Sequence, residues 1–218
     1  MKKLTFLVLV IAAVVVCWKW DLPQISGLRV PVEQLDNDIK PSIAISDLTL
    51  DRFEKLRWGE LSGSLELSGV EVSSVARYAV PGIIPSGIIE PTVQLEEGRL
   101  RLSALMVIDQ FPGLPSIDEI AGLLPDTITI EMQGSIVPLD RDHVSLIVEK
   151  LWMSKIPIPS GLIPSILTGL GRQGARSLPR DALLIPKPPG IESVLVSGDS
   201  LILLADPQTK ETLLDKGH

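Results

Sequence analysis

The chain is poor in the residues that usually announce chemistry. It has one cysteine, Cys17, and two histidines, His143 and His218. A single cysteine excludes a disulfide framework and a thiolate metal site. The two histidines lie far apart, so no HExxH or paired-histidine spacing exists, and no metal or other cofactor is expected. There is no P-loop, no GxGxxG and no GxSxG nucleophile elbow. Aromatic side chains are scarce, with four Trp, three Phe and one Tyr. Basic charge is also in short supply. The net charge is −7 at pH 7, and phosphate binding needs a basic surface, so nucleic acid is not an expected partner.

What is present is aliphatic. Apolar residues make up 45% of the 218 and charged residues 22%, with a mean hydropathy of +0.32. That balance excludes a disordered chain and suffices for a sizeable core. The most apolar stretch lies at the start. Lys2 and Lys3 precede Leu4, Phe6, Leu7, Val8, Leu9, Val10, Ile11, Val14, Val15 and Val16, and Trp18 and Trp20 follow. The run from Leu4 to Cys17 is short for a span, but counting through Trp20 brings it close to the required length. The tryptophans sit where an interfacial belt would, and no small-x-small cleavage site ends the run. Residues 1–20 therefore read as a signal-anchor or transmembrane helix. The paired lysines place its N-terminus in the cytoplasm and the main domain outside it, in a periplasm or on the outer face of the cell membrane. A lipoprotein reading of Cys17 is opposed by the valines before it. Residues 21–41, punctuated by Pro23, Pro31 and Pro41, read as a linker. Residues 42–206 read as a β-rich domain and residues 207–218 as a polar tail.

Within the domain the dominant period is two. Ile43 and Ile45 alternate with polar neighbours, then Leu48 and Leu50 do so after a phase shift. Leu65 and Leu67 pass through Gly69 to Val70 and Val72, again shifted, which suggests bulges or bends. Val93 and Leu95 lead through Glu96-Glu97-Gly98-Arg99 to Leu100 and Leu102, a hairpin pattern. Ile128, Ile130 and Met132 predict a strand. Val144, Leu146 and Val148 predict another beyond the turn Asp140-Arg141-Asp142-His143. Val194 and Val196 lead through Ser197-Gly198-Asp199-Ser200 to Leu201 and Leu203, the clearest hairpin. Helical spacing is confined to Ser116–Leu124 and to Ser160–Leu170, the latter with Ser160 as N-cap and Pro164 in the first turn. The expected class is α+β: a long bent antiparallel sheet wrapped round one or two short helices, behind the anchor.

Two segments repeat each other. Ile84-Pro85-Ser86-Gly87-Ile88-Ile89 parallels Ile158-Pro159-Ser160-Gly161-Leu162-Ile163. Both are aliphatic and proline-gated, unlike ordinary strand interiors. Each is either a loop pinned by its hydrophobic residues or a lip that touches lipid. Another match is spurious. Gly198-Asp199-Ser200-Leu201 and Asp215-Lys216-Gly217-His218 spell the serine and DxxH motifs of a hydrolase family. They lie too close together to hold that family's α/β sheet, and Gly-Asp-Ser between alternating strands is turn chemistry. Glu96 and Glu97, adjacent at a turn, read as a solvated tip. No catalytic residue is expected.

The last third carries a family resemblance. A strand runs into Leu151-Trp152-Met153-Ser154-Lys155-Ile156-Pro157-Ile158-Pro159 and an apolar helix follows. Leu178-Pro179 and Ile185-Pro186-Lys187-Pro188-Pro189-Gly190-Ile191 come next, and the hairpin Val194–Leu204 closes the domain. This pattern, over roughly residues 90–205, resembles the LmeA-like phospholipid-binding proteins and, more distantly, the tubular lipid-binding (BPI-like) superfamily. Leu61–Val72 is similar to the β-rich repeats of AsmA-like envelope proteins. The resemblance implies an exported, non-catalytic protein with an apolar tunnel for acyl chains. By position it assigns Ile156, Ile158, Leu162, Ile163, Ile166, Leu167 and Leu170 to the helix and lip, and Ile83, Ile84, Ile88 and Ile89 form the second candidate lip. The expected partner is membrane lipid. The alternative is an envelope or secretion-associated protein that binds another protein through a sheet edge or apolar loops.

Overall fold

The computed structural model describes residues 40–61, 63–79, 87–111, 125–170, 172 and 178–206. The candidate anchor (1–20), most of the linker, the candidate helix Ser116–Leu124, Ile83, Ile84 and the tail lie outside the described residues.

The fold is α+β, rich in antiparallel sheet with few helices. Among the described residues nine strands divide between two sheets rather than forming a single bent one. In the larger sheet, β2 (Ile88–Glu96), β3 (Arg99–Val107), β4 (Thr127–Pro138) and β5 (His143–Met153) run in sequence order. The far edge of β5 is shared by β6 (Ile156–Pro157) and β7 (Ala182–Pro186). The smaller sheet has the order β1-β9-β8, from β1 (Ser64–Ser68), β8 (Ile191–Ser197) and β9 (Ser200–Ala205).

The hairpins form where alternation meets turn residues. Glu97 and Gly98 both take positive φ (51° and 76°), the type I′ geometry that suits the twist of the flanking strands. The Gly198-Asp199 pair, with Gly198 at φ 57°, closes β8 onto β9 with Ser197 opposite Ser200. That is the place of the spurious serine motif. The β4–β5 register shifts between Gln133 and Gly134. A Cβ on Gly134 would lie 1.9 Å from the Ile147 carbonyl oxygen, so only glycine permits this approach.

Two segments read as strands are helices. Ile43–Arg57 forms α1, with Ser42 as N-cap accepting from the Ile45 N–H at 3.3 Å. Its buried face carries Ser46, Thr49, Phe53 and Leu56, at helical spacing, whereas Ile43 and Leu48 are exposed. The apparent alternation of Ile43, Ile45, Leu48 and Leu50 was therefore no guide to burial. Gly69–Ser74 forms α2, opened by a capping box in which Ser68 and Glu71 satisfy each other's backbone N–H. It continues as a π-helical turn over Val75–Ala79. The phase shift at Gly69 is thus a strand-to-helix junction and not a bulge. Arg52 pairs with Glu71 and also donates to the Glu66 carbonyl, tying α1 to this junction.

Helix α2 lies against the free edge of β2. Ser73 Oγ accepts from the Val93 N–H at 2.7 Å, and a Cβ on Gly69 would stand 2.6 Å from the Val93 carbonyl oxygen. The edge is further blunted by Pro91, which has no N–H, and by a register shift between Ile89 and Thr92 with Glu90 at φ 52°. A short α3 (Ile163–Gly169) follows a 3₁₀ turn over Ser160–Leu162, with Pro164 in its first turn. Ser160 makes no capping hydrogen bond to it; Leu162 is the N-cap. Both sheets, α1 and α3 share one core cluster, which includes Phe53, Leu65, Val93, Met106, Leu146 and Leu167. Among the described residues no helix is long and apolar enough to cross a membrane.

Candidate functional site

The pairing register sorts the molecule into two ends. At one end of the larger sheet lie the β2–β3 turn (Glu97-Gly98) and the β4–β5 turn (Leu139–Asp142). The Gly98 N–H donates to the Gly198 carbonyl at 3.0 Å, which brings the β8–β9 turn there too. This end carries Glu96, Glu97, Arg99, Asp140, Arg141, Asp142 and Asp199. At the opposite end β2 begins, β3 ends, β4 begins and β5 turns into β6.

The described part of the first near-repeat segment, Gly87–Ile89, and the start of the second lie at this second end, on strands at opposite sides of the sheet. Ile89 pairs with Leu105, Leu105 with Thr129, and the Ser154 N–H donates to the Thr129 carbonyl at 2.7 Å. Three strand spacings separate β2 from β5, about 14 Å. In the described residues of both segments an exposed aliphatic stands beside a buried one, at opposite positions of the repeat. Ile88 is buried while Ile89 is 43% exposed; Ile163 is buried while Leu162 is 51% exposed. Ile156, which pairs with Met153 at the outer edge, is 53% exposed.

The candidate lipid residues thus divide in two. Ile88, Ile163, Ile166, Leu167 and Leu170 belong to the core cluster, and Ile158 packs against it. Ile89, Ile156 and Leu162 face solvent, Ile89 on the opposite side of the sheet from the other two. Burying an aliphatic side chain stabilises a fold by roughly 1.5–3 kcal/mol, so this end of the sheet forgoes that gain three times.

Ile156 and Leu162 lie on the hairpin tip and turn Ser154–Leu162. Ser154 and Lys155 both take positive φ (49° and 69°), a type I′ turn built without glycine or asparagine. Pro157, Pro159, Ser160 and Gly161 are exposed beside Ile156 and Leu162. Much of the tip's backbone is already satisfied. The Ile158 N–H donates to Leu151 at 2.8 Å, the Leu162 N–H to Pro159 at 2.9 Å, and the two prolines have no N–H. Between Lys150 and Arg172 the only charged side chain is Lys155, and between Arg77 and Glu90 there is none. Lys155, Pro157 and Pro159 were not among the expected site residues. The signal that finds them is this charge gap in an acidic chain.

Behind the tip, α3 is stapled to β7. Arg172 Nε donates to the Ala182 carbonyl at 2.8 Å and Arg172 Nη2 to the Pro179 carbonyl at 2.6 Å. This fixes the helix that carries Ile163, Ile166 and Leu167.

The charged end has other features. A cavity of about 670 Å³ opens among Arg141, Asp142, Lys187, Pro188, Pro189, Gly190, Ile191, Glu192 and Asp206. It mixes both charge signs, and the Lys187 ammonium is engaged with the Glu192 carbonyl at 2.7 Å. His143 Nδ1 lies 2.8 Å from Asp140 Oδ1, and the Asp142 N–H donates to the same oxygen at 2.8 Å. The hydrogen bond with His143 is the main cause that holds the Asp140 carboxyl below its ordinary range. On the outer face of the larger sheet, Arg101 stacks 5.3 Å from the Trp152 ring centre and pairs with Glu131 at 3.2 Å. Among the described residues no group of three or more His, Cys, Asp or Glu side chains could hold a metal ion.

Compared with protein-family models, with curated proteins and with solved structures, the chain has no match.

Proposed function

We propose that this chain is a membrane-tethered, non-catalytic module that binds or transfers membrane lipid outside the cytoplasm, as the resemblance to LmeA-like and tubular lipid-binding proteins implies. The supporting observation is that one end of the larger sheet exposes Ile89, Ile156 and Leu162 while their neighbours Ile88 and Ile163 are in the core. In this reading an acyl chain enters at an exposed lip (Ile89, Ile156, Leu162) and runs towards α3. Each CH₂ removed from water there contributes about 0.8 kcal/mol. A sixteen-carbon chain would gain on the order of 10 kcal/mol before ordering costs, with no polar residue required. In this reading the larger sheet bends round α3, and residues 1–20 keep the domain beside the bilayer it draws from.

The alternative is an envelope protein that binds another protein through a sheet edge or apolar loops, and the exposed Ile156 and Leu162 suit it as well. The β2 edge is occupied by Ser73 and interrupted by Pro91.

A transfer assay tests the reading. The full chain is reconstituted into donor vesicles that carry a fluorescent phospholipid, and acceptor vesicles are added. We expect faster transfer than in protein-free controls, and competition by unlabelled phospholipid. Transfer at the protein-free rate, together with no protection of the fluorophore from an aqueous quencher, would remove the proposal.

A further inference from the structure

We infer that Arg77 binds a phosphate group: its guanidinium receives the anion in the crevice between the N-terminus of α1 and β2. The inference rests on the proposed function for one point only, that the phosphate is the headgroup of a phospholipid.

Arg77 differs from the other half-buried arginines. Arg52, Arg57 and Arg101 pair with Glu71, Glu54 and Glu131. Arg172 donates to the carbonyls of Leu178, Pro179 and Ala182. Arg77 is half-buried too and, among the described residues, has no ion pair, hydrogen bond or ring contact. Its Nε is buried without an acceptor. Arg101 Nε also lacks one, but there Glu131 and the Trp152 ring offset the charge. A buried N–H on a charged group is costly to leave unpaired and calls for a partner from outside the chain. The chain holds 27 Asp and Glu residues, yet none serves Arg77. Asp47 on α1 and Glu90 on β2 are exposed, and neither pairs with it.

The position follows from the helix face. Ser73 Oγ meets the Val93 N–H on the β2 side of α2. Ser74 Oγ accepts from the Ser42 N–H on the α1 side, where the Tyr78 hydroxyl also donates to the Pro41 carbonyl. One turn beyond Ser73 and Ser74, Arg77 falls where these two faces meet. The π-helical turn that carries it packs against both α1 and β2. The α1 N-terminus is the positive end of a 15-residue helix with no acidic side chain in its first turn. Early in that helix Ser46, 1% exposed, has a hydroxyl without a partner. Two buried donors, Arg77 Nε and Ser46 Oγ, thus lack acceptors on elements that pack together, in a place that carries positive potential.

The guanidinium offers Nε–H and one Nη–H as parallel donors, spaced for two oxygens of one phosphate. Because Nε is buried, an anion that satisfies it must enter the crevice. A phosphate at the end of a flexible headgroup can do so. A carboxylate fits the same fork, and the titration separates the two.

Arginine Nε–Hε NMR on the full chain in non-ionic detergent tests this. The Arg77 signal is the one that Arg77→Lys removes. Dihexanoyl phosphatidylglycerol, inorganic phosphate, acetate and chloride are titrated separately at constant ionic strength. We expect a saturable shift of the Arg77 signal with the lipid. The dissociation constant, followed by phosphorus NMR of that lipid, should rise about tenfold or more in Arg77→Gln. Arg77→Lys keeps the charge without the fork and should fall between. Both variants should keep the wild-type unfolding midpoint, because neither leaves a partner unpaired. A shift with inorganic phosphate as well supports recognition of the phosphate itself. A shift with inorganic phosphate alone supports the site and assigns a soluble phosphate ester as the source. No saturable shift, or an equal one with acetate or chloride (an adventitious ion only), overturns the inference. So does a lowered midpoint with lipid affinity unchanged, which would mark a structural arginine. Transfer lost with the Arg77 shift intact removes only the proposed function; the shift lost with transfer intact removes only the phosphate site.

Discussion

The two ends of the larger sheet solve the same folding problem with different chemistry. Both must reverse strands in two residues. At the charged end, Glu97-Gly98 does so with a glycine in the left-handed conformation and carboxylates in water, which strand twist and solvation explain completely. At the other end, Ser154-Lys155 adopts the same backbone without glycine, and Ile156, Leu162 and Ile89 stand in water beside it. Stability does not explain that choice, because each exposed aliphatic forgoes the gain of burial. The difference between the ends, more than any single residue, is what supports the lipid reading.

The largest expected effect tests whether the apolar end has an interior distinct from its rim. Leu167 and Leu162 are the same residue five positions apart, one fully buried and one half-exposed. Leu167→Ala should cost about 3 kcal/mol in urea unfolding, and Leu162→Ala less than about 0.5 kcal/mol. Comparable losses would mean that the rim is part of the core and would dissolve the comparison. Next comes the close approach between β4 and β5, which both ends share. Gly134→Ala forces a Cβ onto the Ile147 carbonyl, so a loss of about 2–3 kcal/mol is expected, read as a lowered Tm with an unchanged m-value. A smaller effect is expected at the sealed β2 edge. Ser73→Ala leaves the buried Val93 N–H without its acceptor, at about 1–2 kcal/mol, with faster hydrogen exchange at Val93 as the local signature. The smallest lies at the charged end. The Asp140 carboxyl is held below its ordinary value chiefly by the hydrogen bond with His143. Since its folded pKa is depressed, its contribution is present at neutral pH and is lost as pH falls below about 4. Carboxyl NMR titration should show Asp140 below the other aspartates, and His143→Ala should move it back up.

Legibility followed the hydropathy signal. The hairpins 93–102 and 194–203 and the strands through Ile130 and Leu146 were readable because one face is buried, one is wet, and turn residues separate them. Helix α1 was not, because its buried face is half polar. Ser46 and Thr49 sit inside while Ile43 and Leu48 sit outside, so the helical period is silent in hydropathy and a false alternation takes its place. Helix α2 had a readable signal, the Ser68-x-x-Glu71 capping box, overshadowed by the alternation of Val70 and Val72. The candidate site was legible as composition and near-repeat. Its division into buried Ile88 and Ile163 and exposed Ile89 and Leu162 was not, because neighbours of equal hydropathy differ only in the direction they face.

By itself, then, the sequence determined an aliphatic, antiparallel-rich α+β chain without the constellations of metal or nucleophilic chemistry, and two proline-gated aliphatic segments. These are local properties, set by residue type and short-range period. Only the tertiary structure decided that the strands divide between two sheets, that α2 seals the β2 edge, and that Ile89, Ile156 and Leu162 are exposed at one end while the turns 97–98, 139–142 and 198–199 gather at the other. Those outcomes depend on strand register, a long-range choice made by the packing of whole faces, which no short window of sequence contains.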